Sequence, residues 1–209
     1  MNRIKNLLFD FGGVLVDLDR ERCIRSFENL GLNVRPFIGE YRQDGPLEQL
    51  ECGRISTESF CEAIRRLCGN PDVTDRDIVG AWESFLLTIP HERLDALLRL
   101  RRRYPLYLLS NTNIVHWEMA RNDLFLYKGN TVDDFFRRCF LSYEVGVEKP
   151  DPIIYNAVLE GAGIRAEETL FIDDSEENCA AARALGLHAF CPHRPGEWMD
   201  YLKQEGFDA

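Results

Sequence analysis

No apolar run in this 209-residue chain approaches the roughly 18 residues needed to cross a bilayer, and the N-terminus lacks the apolar stretch of a signal peptide. The expectation is a cytoplasmic protein with no membrane partner. Basic excess is missing as well. The 25 Lys and Arg against 35 Asp and Glu leave a net charge of −10 with His neutral, which repels a polyphosphate backbone and argues against nucleic acid as a partner. The seven cysteines (Cys23, Cys52, Cys61, Cys68, Cys139, Cys179 and Cys191) are odd in number and contain no C-x-x-C pair, so they read as free thiols of a reducing compartment. There is no internal repeat, no low-complexity tract and no heptad seam from which an oligomeric state could be read. A hydrophobic content of 45% excludes disorder and is enough for a buried core in one or two domains.

What the chain does have is an alternation. Short apolar runs at Leu7-Leu8-Phe9, Leu106 to Leu109, Cys139-Phe140-Leu141, Leu170-Phe171-Ile172 and Ala189-Phe190-Cys191 are separated by helical patterns. The helical patterns lie around Leu94, Leu97, Leu98 and Arg101, over Ile153 to Gly161, and over Asn178 to Leu185 with Gly186 as a stop. Such a pattern predicts an α/β fold, a doubly wound parallel sheet of Rossmann-like type. Nearly a hundred residues separate the first two runs, far more than a crossover needs. The excess carries helical patterns at Cys23 to Leu30, Leu47 to Cys52 and Thr57 to Leu67, the last behind a Ser56 N-cap, with a turn expected at Asp44-Gly45-Pro46. The predicted organisation is a core of residues 1–16 and 91–209 with an inserted all-helical cap domain over 17–90. Residues 118–135 read as a long surface loop with a turn at Lys128-Gly129-Asn130, with a flap over a site as the alternative.

In an open parallel sheet, ligands bind outside the carboxyl ends of the strands. The residues that follow the apolar runs are Asp10, Ser110, Asp173 and Asp174, with Lys149 on the loop after the third. Each has an ordinary reading, as a helix cap, a charge favoured by the macrodipole or a surface cation. Three carboxylates, a hydroxyl and an ammonium on one rim are harder to explain by solubility.

Four segments carry a family resemblance: Phe9-Asp10-Phe11-Gly12-Gly13-Val14-Leu15, Leu109-Ser110-Asn111-Thr112, Glu148-Lys149-Pro150-Asp151-Pro152 and Phe171-Ile172-Asp173-Asp174-Ser175. In order and spacing they resemble the four motifs of the haloacid dehalogenase superfamily of hydrolases, whose helical caps the insertion also resembles. Gly12 and the run Ser110-Asn111-Thr112-Asn113 are similar to the branch of sugar-phosphate phosphatases that includes alpha-glucose-1-phosphate phosphatases. The resemblance implies a Mg2+-dependent phosphatase acting on a small-molecule phosphate ester.

The residue types suit that chemistry. Asp10 can attack phosphorus and form an aspartyl phosphate. A divalent cation between the nucleophile and the anionic substrate fits hard oxygen ligands at Asp10, the Gly12 carbonyl and Asp174, with Asp173 behind them or as an occasional ligand. Ser110 Oγ, the Asn111 backbone N–H and Lys149 can hold the phosphoryl oxygens, and Lys149 also favours an ionised Asp10. Glu148 is expected to be solvated.

One departure stands out. Most phosphatases of the superfamily carry Asp two residues after the nucleophile as general acid and base, and this chain has Gly12. Its loss favours slow turnover or a good leaving group such as a sugar 1-phosphate. Asp17 and Asp19 are possible replacements, although both read more simply as caps of the first cap helix. His116, His188 and His193 lack metal-ligand company, and all three stay outside the catalytic set. Two other functions compete. A carbon-halogen hydrolase would not need Asp173-Asp174. A phosphate-binding or regulatory protein on the same fold would stabilise its ligand without turnover.

Overall fold

A computed structural model describes residues 4–207 of the chain. Residues 1–3 and 208–209 of the expected core lie outside the described residues. Five parallel strands form one sheet in the order β3-β2-β1-β4-β5: β1 (Asn6–Phe9), β2 (Leu106–Ser110), β3 (Arg138–Leu141), β4 (Thr169–Ile172) and β5 (His188–Phe190). The three central strands are buried on both faces, which is why their sequences read as continuous apolar runs rather than as alternations.

Successive side chains nevertheless divide between two cores. Leu8, Leu109 and Phe171 pack under α9 (Pro152–Ala162) and α10 (Glu176–Ala184), against Tyr155, Val158 and Ala182. Leu7, Phe9, Leu108 and Ile172 face the other way, toward Leu94 and Leu97 of α5 (His91–Leu100) and Trp198 of α11 (Glu197–Gln204). Trp198 meets Phe9 edge-on at 5.1 Å, and its indole N–H donates to the Val14 carbonyl at 3.2 Å. The last helix is thereby pinned under the first strand and the turn that follows it.

Between β1 and α5 the chain forms four helices, α1 (Arg20–Asn29), α2 (Gly45–Glu51), α3 (Thr57–Cys68) and α4 (Asp75–Glu83), and adds no strand to the sheet. This is the helical cap. Asp19 caps α1 by accepting from the Arg22 N–H, and Ser56 caps α3 as its sequence predicted. Asp44-Gly45-Pro46, expected to be a turn, is instead the beginning of α2: proline tolerates the first helical turn, where the N–H that it lacks would have no partner within the helix. Entry and exit segments run side by side. Asp17 N–H bonds the Thr88 carbonyl, Leu87 N–H the Asp17 carbonyl and Asp19 N–H the Phe85 carbonyl, at 2.9–3.0 Å.

Residues 118–135 are not the expected loop. Helix α6 (Ile114–Met119) continues into a π-helical turn at Ala120–Leu124, and a tight turn with Lys128 at φ 50° leads to α7 (Val132–Phe135). Phe125, Phe135 and Phe136 are buried there, and Phe125 stacks on Phe11 at 5.7 Å. The segment packs the side chain next to Asp10. It is not a flap over the site.

Candidate active site

The strand order sets the site. Because β1 lies between β2 and β4, with Phe9 in register with Leu108 and Ile172, the residues after these strands fall side by side at one sheet edge. Asp10 leaves β1 still bonded through its N–H to the Ile172 carbonyl at 2.9 Å. Ser110 ends β2, and Asp173 and Asp174 follow β4.

Lys149 reaches into this edge from the loop before α9 and is buried to its tip. Its Nζ lies 2.7 Å from Asp10 Oδ1 and 2.6 Å from Asp173 Oδ2, and it donates to the Leu109 carbonyl at 3.2 Å. Burial alone would lower the lysine pKa, but the two carboxylates more than reverse it and hold the ammonium charged. Asp173 is fully occupied in this task. Besides Lys149, its oxygens accept from the Ser175 N–H at 2.9 Å and from Asn178 Nδ2 at 3.0 and 3.2 Å. The Asn111 side chain clamps the lysine from behind: its Nδ2 donates to the Lys149 carbonyl at 3.0 Å, and its Oδ1 accepts from the Lys149 N–H at 2.7 Å. Sequence reasoning gave Asn111 only a backbone role.

Asp174 faces a different way, into the cavity above Asp10. Gly13 makes room for it. A Cβ on Gly13 would overlap Asp174 Oδ2 and stand 2.8 Å from its Cγ, and Gly13 also has φ +74°, a conformation that side chains disfavour. Carboxylate oxygens of Asp10, Asp173 and Asp174 come within 4.8 Å of one another, with a single ammonium among them. Burial raises Asp10 to about 8, Asp173 and Asp174 adding to it and Lys149 opposing. Asp174 is likewise raised, to about 6, by burial and by Asp173. Such an excess of crowded, buried negative charge is what a hard divalent cation would relieve.

The cavity above these groups has a volume of ≈ 80 Å³. Asp10, Gly12, Ser110, Asn111, Lys149 and Asp174 all line it, while Asp173 stands behind Lys149. An outer cavity of ≈ 600 Å³ continues past Leu18, Glu40, Tyr41 and Phe85 toward Arg20, His193 and Arg194. Asp17 belongs to that outer cavity and is paired with the buried Arg93 at 2.8 Å. His116 does border the inner cavity, but as a packing residue: it lies 4.4 Å from the Trp82 ring of the cap, and its Nε2 is 2.9 Å from the Trp82 carbonyl. Burial lowers its pKa to about 4, so the ring is neutral, with Nε2 as donor.

Glu148 corrects a sequence expectation. It is 7% exposed, not solvated, and sits against Glu51 of the cap, where burial raises the pKa of both carboxyls. The loop that carries Lys149 inward necessarily carries its neighbour inward too. Gln43 lines the inner cavity and falls in the stretch Tyr41 to Gly45 that the sequence, together with Asp17 to Arg20, places on the leaving-group side; Glu51 lines it too and was missed. Asn178 was missed as well, although a polar amide in the first turn after Asp173-Asp174-Ser175 is a signal that the sequence offered.

The chain matches the model of the haloacid dehalogenase-like hydrolases over residues 4–186. It is 35% identical over 200 residues to a D-ribitol-5-phosphate phosphatase of Bacteroides thetaiotaomicron, covering 95% of this chain and 97% of that protein. A phosphatase of Mycobacterium tuberculosis is 36% identical over 205 residues, covering 94% and 91%. A haloacid dehalogenase family enzyme of Bacteroides thetaiotaomicron, crystallised with magnesium and inorganic phosphate, superposes with a TM-score of 0.89 at 45% identity, covering 95% and 98%. The motif-bearing strand ends, the helical cap and these relatives agree: the chain belongs to the haloacid dehalogenase-like hydrolases.

Proposed function

We propose that the protein is a Mg2+-dependent phosphatase that hydrolyses a small sugar or polyol phosphate through an aspartyl-phosphate intermediate on Asp10. The observation that carries this reading is the buried Lys149, bridging Asp10 and Asp173 beside the Asp174 side chain that lines the cavity. An ammonium spent on two carboxylates in this way orients the nucleophile and leaves one edge of the site for a phosphoryl group.

In the first step an Asp10 oxygen forms a bond to phosphorus as the bond from phosphorus to the alcohol oxygen breaks. In the second, water attacks phosphorus and the Asp10–phosphorus bond breaks, releasing inorganic phosphate. Ser110 Oγ and the Asn111 backbone N–H hold the phosphoryl oxygens, on which charge concentrates, and the Lys149 ammonium beside them contributes its charge. Asn111, Asp173 and Asn178 act through Lys149 by fixing where its ammonium stands. Mg2+, held by Asp10, Asp174 and the Gly12 carbonyl, supplies the positive charge that keeps the two carboxylates ionised beside an anionic substrate. The substrate class draws on the relative named for ribitol 5-phosphate. A sugar 1-phosphate remains the form of substrate best suited to Gly12. We divide the chain into a core of residues 1–16 and 91–209 and a cap of 17–90, because the paired segments around Leu18 and Leu86 are where the chain crosses between them.

The test is release of inorganic phosphate from a panel of sugar, polyol and aryl phosphates. Release should require Mg2+ and disappear in Asp10→Asn. Ligand-induced stabilisation without release from any of these esters would turn the reading toward a phosphate-binding protein.

A further inference from the structure

The inner cavity has two chemically distinct halves. Its floor is the phosphoryl site. Its roof, contributed by the cap, holds Gln43 and Glu51. Gln43 is 8% exposed, and its Oε1 is buried with no hydrogen-bond partner among the described residues. Buried polar atoms are almost always paired, so an unpaired one on a side chain that lines a ligand cavity marks a group left for an incoming partner. A hydroxyl both donates and accepts, and it satisfies the amide whichever way the amide is turned.

Glu51 is 5% exposed and offers the complementary half of such a contact. It faces Glu148, the side chain of Asn113 and, farther off, Glu48; Glu148 in turn faces Glu48, Arg42 and Arg54. Two carboxyls buried together share a proton, with the arginines favouring charge on Glu148 and burial favouring the neutral form of Glu51. A neutral carboxyl donates and accepts without repelling a phosphate ester. Its position is fixed from the core side. Ser142 Oγ lies 2.6 Å from the Glu51 carbonyl, and Gly53 packs so tightly on Tyr143 that a Cβ there would stand 3.0 Å from the Tyr143 carbonyl carbon. The roof therefore presents Gln43 and Glu51 at set positions, beside Glu40 and Tyr41, and among the described residues that line the cavity the cap contributes no arginine or lysine.

We propose that Gln43 and Glu51 read hydroxyl groups on the leaving alcohol, so that the enzyme prefers polyol and sugar phosphates to unhydroxylated alkyl phosphates of equal length. The proposal rests on the phosphatase reading above. A site built to hydrogen-bond a substrate hydroxyl rejects the analogue that lacks it, because its own polar atoms are then left unpaired.

The experiment compares kcat/KM for a pentitol phosphate and for pentyl phosphate in the Mg2+-loaded enzyme. Gln43→Leu and Glu51→Leu should each lower the ratio of the two by about 10- to 100-fold. Glu51→Gln, which keeps a neutral donor and acceptor, should hold the ratio within about 3-fold of the parent. Equal losses on both substrates would overturn the proposal. So would a fall in both rates in Glu51→Gln, which would make Glu51 a proton donor instead of a reader of hydroxyls. The phosphatase reading fails separately, if no ester of either kind is hydrolysed. Thermal shifts of Mg2+-loaded Asp10→Asn with the same two ligands then decide the matter: equal shifts reject hydroxyl recognition, and a larger pentitol phosphate shift that Gln43→Leu removes supports it.

Discussion

Gly13→Ala separates the metal-binding role of Asp174 from the rest of the site, without touching a residue that contacts substrate. The new Cβ would stand 2.8 Å from Asp174 Cγ, where carbon atoms normally rest at about 3.5–4.0 Å, so the carboxylate must retreat by about 1 Å. Mg2+ demands oxygen distances near 2.0–2.1 Å in almost ideal octahedral geometry, and a retreat of about 1 Å removes the ligand. Disturbing even the supports of a metal ligand weakens binding by about 10- to 100-fold, which sets the least effect expected here. The backbone adds a separate penalty of about 1–2 kcal/mol for a Cβ at φ +74°. The assay is a Mg2+ titration of phosphate release, paired with urea unfolding in the absence of metal. The expected result is half-activation moved up by at least about 10-fold, with stability lowered by only about 1–2 kcal/mol. An unchanged Mg2+ requirement in a folded Gly13→Ala protein would refute the assignment of Asp174 as a ligand.

Gly12 and His116 give two further expectations. Gly12 does not have the positive φ that side chains disfavour, and a Cβ there meets only the end of the Leu18 side chain at 3.3 Å, so the first atom of Gly12→Asp needs only a small shift of Leu18. If a proton donor is what the site lacks, this variant should speed hydrolysis of alkyl phosphates by roughly 100-fold or more while leaving aryl phosphates nearly unchanged; equal effects on both, measured as kcat across a leaving-group series, would rule the idea out. Burial lowers His116 from 6.5 to about 4, so its neutral form contributes stability that is complete above pH 6.5 and is lost as pH falls through 4. At about 1.4 kcal/mol per unit, wild type should lose about 3 kcal/mol relative to His116→Asn between pH 7 and pH 4, read from urea unfolding curves; parallel pH profiles would contradict it.

The phosphoryl-binding half of the site was legible because strand ends are local features. Asp10, Ser110 and Asp173 each follow directly on an apolar run, and reading a run and its next residue needs no knowledge of the fold. Of the leaving-group half, the stretches Asp17 to Arg20 and Tyr41 to Gly45 were legible as the cap segments nearest the site, and the rest was not. Glu51 ends an ordinary amphipathic helix, and only docking of α2 on the Ser142 segment buries it against Glu148. Asn111 has the same history, since its side chain matters through the Lys149 backbone, which the fold alone brings to it. Residues 118–135 were misread for a different reason. Turn residues were weighed there, Phe125 was not, and Asp133 to Phe136 was read only as the lead into the next strand, although three aromatics in so short a span are costly to leave in water.

The paired crossing at Asp17 to Asp19 and Phe85 to Thr88 has a mechanical meaning. Two chains bonded side by side form a ribbon, which bends across its face far more readily than one edge slides along the other. The cap is thus mounted on a leaf spring. The contact of Ser142 with the Glu51 carbonyl lies out on the lever arm, whereas His116 meets the Trp82 carbonyl beside the crossing, where Trp82 stacks on Phe85. Bending of the ribbon would change the width of the passage between the inner cavity of ≈ 80 Å³ and the outer one of ≈ 600 Å³, through which an ester enters and its alcohol leaves.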